Sequence, residues 1–226
     1  MNTIYLFSGI GCTGAVFGKI SFPEDYAIRY LEWKEPLKGE TFPQYCARMV
    51  NGLSLEASDV LAGVSFGGIV VQEIARQHPQ VERIVVLSSA VDPQEYSGMI
   101  RLYRALRLYH VTPWAILKSD RLKAALITGK LGGRHVAAVR RFFAPLSTRY
   151  YRFAIRACLR FPPADRALLR RIRRIHGRRD ELFPVKRTIS PSEDIDGATH
   201  LMVYTHAREA SKAFAKVIRA PWYRQG

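Results

Sequence analysis

Cysteine is scarce in this chain. Cys12, Cys46 and Cys158 are odd in number and far apart, which excludes a disulfide framework or a cysteine-rich metal site and fits a reducing compartment. Long apolar runs are missing too. No stretch approaches the roughly 20 residues of a membrane-spanning helix, and Met1–Ser8 has neither the basic start nor the apolar core of a secretion signal. A cytoplasmic chain with no membrane span is the expectation. His110, His135 and His206 stand at no ligand-like spacing from carboxylates, so no metal is expected. There is no internal repeat and no low-complexity tail. Acidic residues are depleted in one region above all. From Met99 to Arg174 there are 19 Lys/Arg and two acids, Asp120 and Asp165, whereas the rest of the chain holds 16 bases and 17 acids. The net charge of +16 thus belongs to one internal segment on a neutral scaffold.

A chain of 226 residues can bury one substantial core and is expected to form one domain. Its first part alternates strand and helix patterns. Thr3–Phe7 reads as a buried strand, Tyr26–Trp33 as a second, Thr41–Asn51 as a helix, Asp59–Val64 as a strand, Phe66–Gln77 as a helix and Arg83–Leu87 as a strand. That alternation predicts a parallel sheet with crossover helices. From Asp92 to about Leu169 the pattern changes to helical stretches parted by Pro113, Gly132-Gly133, Pro145 and Pro162-Pro163. Arg101–Tyr109 and Tyr150–Leu159 have helical spacing within it. A strand resumes at Arg171–His176, a short extended piece follows at Glu193–Ile195, and a helix at His206–Ile218 closes the chain.

Three stretches carry candidate chemistry. Gly63-Val-Ser65-Phe-Gly67 lies between a strand and a helix. This G-x-S-x-G turn leaves no room for side chains at Gly63 and Gly67 and lifts the serine hydroxyl above the sheet. His176-Gly-Arg-Arg-Asp180 places an acid in a turn after a late strand, and Asp196-Gly-Ala-Thr-His200 places a histidine in the next loop. A serine hydroxyl needs a base within hydrogen-bond reach to act as a nucleophile. Ser65, Asp180 and His200 stand in the chain order Ser…Asp…His of a nucleophile, an orienting acid and a base. Asp92, at the end of the preceding strand, is a rival acid, and Glu181 neighbours Asp180; the His-Gly-x-x-Asp setting favours Asp180.

With its opening strand and Ser8-Gly9-Ile10-Gly11, its Gly63-Val-Ser-Phe-Gly-Gly68 elbow, its His176-Gly-Arg-Arg-Asp180 turn and its late His200, the sequence resembles the α/β-hydrolase family, and within it a group of short bacterial hydrolases. The resemblance spans almost the whole chain and is weakest over 92–170. It implies an α/β-hydrolase fold: a mostly parallel sheet of about six strands, helices on both faces, and a helical cap inserted at about 92–169. It implies hydrolysis of an ester or thioester through an acyl-serine, without cofactor. The oxyanion hole would use the backbone N–H of Phe66 and, from the loop after the first strand, that of Ile10. Family members commonly carry His-Gly in that loop; this chain carries Ser8-Gly9.

Two other readings compete. Gly9-Ile-Gly11-Cys-Thr-Gly14 is a G-x-G-x-x-G after a strand, with Glu32 near the end of the next strand, as in a dinucleotide-binding oxidoreductase. Gly18 and Pro23 make its crossover helix poor, and Asp180 and His200 are left without a role. The basic segment alternatively suggests a nucleic-acid- or acidic-partner-binding protein on an inactive scaffold, but no nucleic-acid-binding motif accompanies it. On the hydrolase reading, a basic cap would draw in anionic acyl carriers such as coenzyme A or an acyl carrier protein. Tyr103, Tyr109, Trp114, Phe142, Phe143, Tyr150, Tyr151 and Phe153 interleave with its arginines and would line an acyl pocket or pack the cap.

Overall fold

The computed structural model describes residues 2–113, 119 and 140–222. Six strands form one sheet: β1 (Asn2–Phe7), β2 (Tyr26–Leu31), β3 (Val60–Val64), β4 (Arg83–Leu87), β5 (Ile172–Gly177) and β6 (Glu193–Ile195). Their order is β2-β1-β3-β4-β5-β6, and every pairing is parallel. β3 is apolar throughout, and β1 and β4 are apolar beyond their first residues, because both faces of the sheet are covered. Tyr5, Phe7, Leu61, Ile84 and Val86 point to one core. Ile4, Leu6, Val60, Ala62, Val85 and Leu87 point to the other.

The first core is closed by α1 (Phe42–Val50), α2 (Phe66–Gln77), α4 (Thr148–Arg160) and α5 (Arg166–Arg170), and the second by α6 (Met202–Thr205) and α7 (Ala207–Arg219). The remaining described helix, α3 (Gly98–Ala105), buries no residue fully. Capping sets several starts. Thr41 and Gln44 form a reciprocal capping box on α1. Ser147 accepts the Tyr150 N–H at the head of α4, and Asp165 accepts the Leu168 N–H at the head of α5.

The sheet order positions the site. β1 leads outward to β2, and the chain then returns to place β3 on the other side of β1. Connections diverge at the carboxyl ends of β1 and β3, where an open parallel sheet leaves a crevice for ligands. Gly9-Ile10 and Ser65 are the residues that leave those two ends.

Several boundaries differ from the sequence reading. β2 stops at Leu31, opposite Phe7, the last residue of β1; beyond that register there is no partner, and Trp33 turns inward instead. β3 begins at Val60 because the Asp59 carboxylate takes the Thr3 and Glu56 N–H groups at the strand's foot. The helix expected over Arg101–Tyr109 ends at Ala105. Arg107 adopts the left-handed conformation (φ 51°), and a 3-10 turn follows at Leu108–His110. The described residues between β4 and β5 contain no strand, only an isolated antiparallel bridge from Phe143 to Cys12. Trp114, Lys118, Asp120, the Gly132-Gly133 break and His135 lie outside the described residues. The basic segment is also not all surface. Arg174 is buried in an ion pair with Glu95 (2.6 Å), and Arg171 bonds the carbonyls of Ala75 and Pro79.

Candidate active site

The buried strand β3 runs straight into the elbow. Ser65 has φ 56° and ψ −119°, a region that costs a side-chain-bearing residue of the order of 1–3 kcal/mol. The surroundings hold it there. Its N–H bonds Leu87 O (3.0 Å), its carbonyl takes the Gly68 N–H (3.0 Å), and the Ser89 hydroxyl donates to the same carbonyl (2.6 Å). A Cβ at Gly63 would collide with the Gly67 backbone, and one at Gly67 with the Phe7 carbonyl at the end of β1. Helix α2 therefore starts within touching distance of β1 and β3. Phe66 is its first residue, and the N–H there has no intrahelical acceptor.

β5 delivers the acid. Gly177 ends the strand where the Ala198 carbonyl passes 2.5 Å from the place a Cβ would occupy, so the loops after β5 and β6 are pressed together. Arg178 and Arg179 donate their N–H groups to Ile195 and Ala198. In this clamp Asp180 is fully engaged. Its Oδ1 accepts the N–H groups of Leu182 (2.9 Å) and Phe183 (3.0 Å), and its Oδ2 lies 2.9 Å from His200 Nδ1. His200 Nε2 is 2.9 Å from Ser65 Oγ. Burial alone would raise the Asp180 pKa, but the His200 ring, His176 and the Phe183 N–H together hold it below the usual carboxylate value. An ionised carboxylate only accepts, so His200 Nδ1 carries a proton toward Asp180, and in the neutral ring Nε2 is then the acceptor that faces the serine.

His176 lies behind Asp180. Its Nε2 is 2.7 Å from Phe183 O and 3.5 Å from Asp180 Oδ2. A carbonyl can only accept, so Nε2 bears the hydrogen, while Nδ1 is buried without a partner among the described residues. Burial lowers the His176 pKa, against the pull of Asp180.

The structure thus brings Ser65, His200 and Asp180 into one hydrogen-bonded chain. Asp92 is elsewhere, capping a 3-10 turn by accepting the Gln94 N–H (2.7 Å), and Glu181 is exposed. The glycine loop arrives beside Ser65: a Cβ on Gly9 would sit 3.6 Å from Ser65 Cβ. The Gly9 carbonyl accepts from Trp33 Nε1 (2.9 Å) and from the Cys12 N–H (3.0 Å). In a trans peptide C=O and N–H point oppositely, so these two bonds turn the Ile10 N–H away from Trp33 and Cys12. Gly11, at φ +69°, donates its N–H to Tyr150 OH (3.2 Å), and a Cβ there would strike Tyr151. The dinucleotide reading loses its geometry. Only a four-residue 3-10 turn (Gly14–Phe17) follows the glycines, and Glu32 is occupied by the Gly14 N–H (2.8 Å).

Sequence reasoning missed three groups around this chain. Trp33 orients the Gly9 peptide and packs on Phe66, with ring centroids 5.1 Å apart. Ser89 holds the elbow carbonyl. Arg174 donates to Ser89 O (3.0 Å) from its buried pair with Glu95. The Ser-Ser pair after β4 was the available signal for Ser89; the partners of Trp33 and Arg174 are set by tertiary contacts alone.

No family model matches the sequence, and no curated protein matches it. Solved structures do. A bromoperoxidase from Bacillus anthracis superimposes with a TM-score of 0.73 at 17% identity, covering 97% of this chain and 92% of its own. A carboxylesterase from Nitrososphaera gargenis gives 0.70 at 18%, covering 96% and 90%. A lipase-esterase related protein from Clostridium acetobutylicum gives 0.68 at 17%, covering 96% and 94%. The fold of this chain is the α/β-hydrolase fold.

Proposed function

We propose, from this fold and the Asp180–His200–Ser65 chain, that the protein is a serine hydrolase cleaving carboxylic esters or thioesters through an acyl-enzyme. The observation that carries the reading is the unbroken hydrogen-bonded sequence from a buried carboxylate to a half-buried serine hydroxyl on a strained elbow. Ser65 Oγ attacks the acyl carbonyl while His200 Nε2 takes its proton. Asp180, kept ionised, holds the ring in the required tautomer and stabilises the imidazolium. Charge on the carbonyl oxygen is met by the N–H groups of Phe66, at the start of α2, and Ile10. The tetrahedral species collapses, and the alcohol or thiol leaves with the proton from His200. Water then attacks the acyl-serine with the same base and releases the acid. The chemistry is the same for either leaving group, so thioesters of coenzyme A or an acyl carrier protein fall within the substrate class.

Residues 92–169 are read as a cap on this site, supported by the contact of Tyr150 and Tyr151 with Gly11 and by the Phe143–Cys12 bridge. Turnover of short-chain p-nitrophenyl esters by the wild type and by Ser65→Ala tests the proposal. The reading requires saturable hydrolysis lost in the variant; equal turnover by both proteins refutes it.

A further inference from the structure

Eight large apolar side chains are well exposed among the described residues, and five of them fall within residues 99–111: Met99 (67%), Leu102 (59%), Leu106 (58%), Leu108 and Val111 (74%). A sixth, Ile189, is joined to the foot of this stretch by its N–H to Glu95 (2.8 Å). On α3, Ile100 and Tyr103 pack against the core, so Met99 and Leu102 belong to a second apolar face turned to solvent. Arg101, Arg104 and Arg107 are interleaved with it and exposed, and the chain has no Asp or Glu from Tyr96 to Ser119. The following 3-10 turn packs on α4. The outer face of α4 carries Arg149, Arg152, Arg156 and Arg160 at i, i+3, i+7 and i+11, all exposed. None of these seven arginines forms an ion pair among the described residues.

A monomer leaves so concentrated an apolar patch in water where something else covers it. Nucleic acid would use the arginines but not Met99, Leu102, Leu106 or Val111. A bilayer uses both, with headgroup phosphates meeting guanidinium groups and the acyl region receiving the apolar side chains. Long exposed apolar residues beside exposed arginines, on a helix that buries none of its residues fully, fit a partner that is apolar and anionic together. The surface also adjoins the proposed active site. The Ser97 N–H, at the head of α3, bonds Leu182 O (3.0 Å), two residues from Asp180, and the inner side of α4 touches the Gly9–Gly11 loop.

We infer that residues 98–111 form a docking surface for an anionic lipid bilayer, flanked by the arginines of α4. The substrates of Ser65 are then esters presented at that surface, a step that rests on the proposed hydrolase function; the docking itself does not.

The test is sedimentation of the Ser65→Ala protein with vesicles of equal parts phosphatidylglycerol and phosphatidylcholine, and with phosphatidylcholine alone. Binding to the mixed vesicles should exceed binding to the neutral ones by about tenfold or more. High salt should release it only in part, because the apolar contribution is unscreened. Leu102→Ser with Leu106→Ser, and separately Arg101→Glu with Arg104→Glu, should each cut it about tenfold or more. The same pairs in the Ser65 protein should leave turnover of a soluble ester unchanged. Absence of binding to both vesicle types overturns the inference. So does binding to heparin or an acidic carrier protein alone, or self-association that Leu102→Ser abolishes in a protein that ignores vesicles. Vesicle binding by a wild type that hydrolyses no ester keeps the surface and removes the hydrolase reading.

Discussion

Asp180→Asn isolates what the buried carboxylate contributes. Asn matches Asp in size, and its carbonyl can keep the Leu182 and Phe183 N–H bonds, so the turn should survive. The other end changes sign. Where Oδ2 accepted from His200 Nδ1 at 2.9 Å, an NH2 now donates. His200 must answer with a bare Nδ1 and a protonated Nε2, and that Nε2 faces Ser65 Oγ at 2.9 Å with no lone pair to take a proton. Loss of a correctly oriented base in such a chain costs about 10⁴-fold in kcat, or roughly 5.5 kcal/mol of barrier. KM should change little, because the Asp180 side chain is fully buried behind His200. The assay is steady-state hydrolysis of a p-nitrophenyl ester, with thermal unfolding in parallel. A variant with unchanged Tm and kcat within about tenfold of wild type would show that Asp180 does not set the His200 tautomer.

Trp33→Phe removes the donor to the Gly9 carbonyl; kcat should fall about tenfold at nearly constant KM through the less fixed Ile10 N–H, and kinetics on the same ester check it. Gly67→Ala drives a methyl group into the Phe7 carbonyl; overpacking against backbone should cost about 3 kcal/mol or more, read by denaturant unfolding. His176 is buried with its pKa lowered from 6.5, burial being the main cause. As pH falls below 6.5 the unfolded chain binds a proton that the folded protein resists, so this contribution to stability is present above 6.5 and is lost as pH drops toward the folded pKa. His176→Gln, which keeps an N–H toward Phe183 O, should flatten that acid limb in Tm measured against pH.

Much of this architecture was legible in sequence. Phe66–Gln77 and Arg83–Leu87 have the boundaries the sequence predicts, because apolar runs flanked by glycine or polar residues are local signals; Glu193–Ile195 matches too, although only Ile195 in it is apolar. The Ser65, Asp180 and His200 stretches are legible because the strained elbow calls for glycine at 63 and 67, and the two turns for glycine at 177 and 197. What escaped notice depends on distant partners. β2 ends at Leu31 because β1 ends opposite it, and the burial of Arg174 depends on Glu95, far from it in sequence. The left-handed Arg107 that breaks the helix after α3 carries no glycine or asparagine to announce it.

Reaction with a fluorophosphonate, followed by peptide mapping, tests the central claim most directly. The account predicts one phosphonyl adduct, on Ser65, with labelling abolished in Ser65→Ala and slowed by orders of magnitude in His200→Ala. An adduct on another residue, or labelling at the wild-type rate in folded Ser65→Ala, would contradict it.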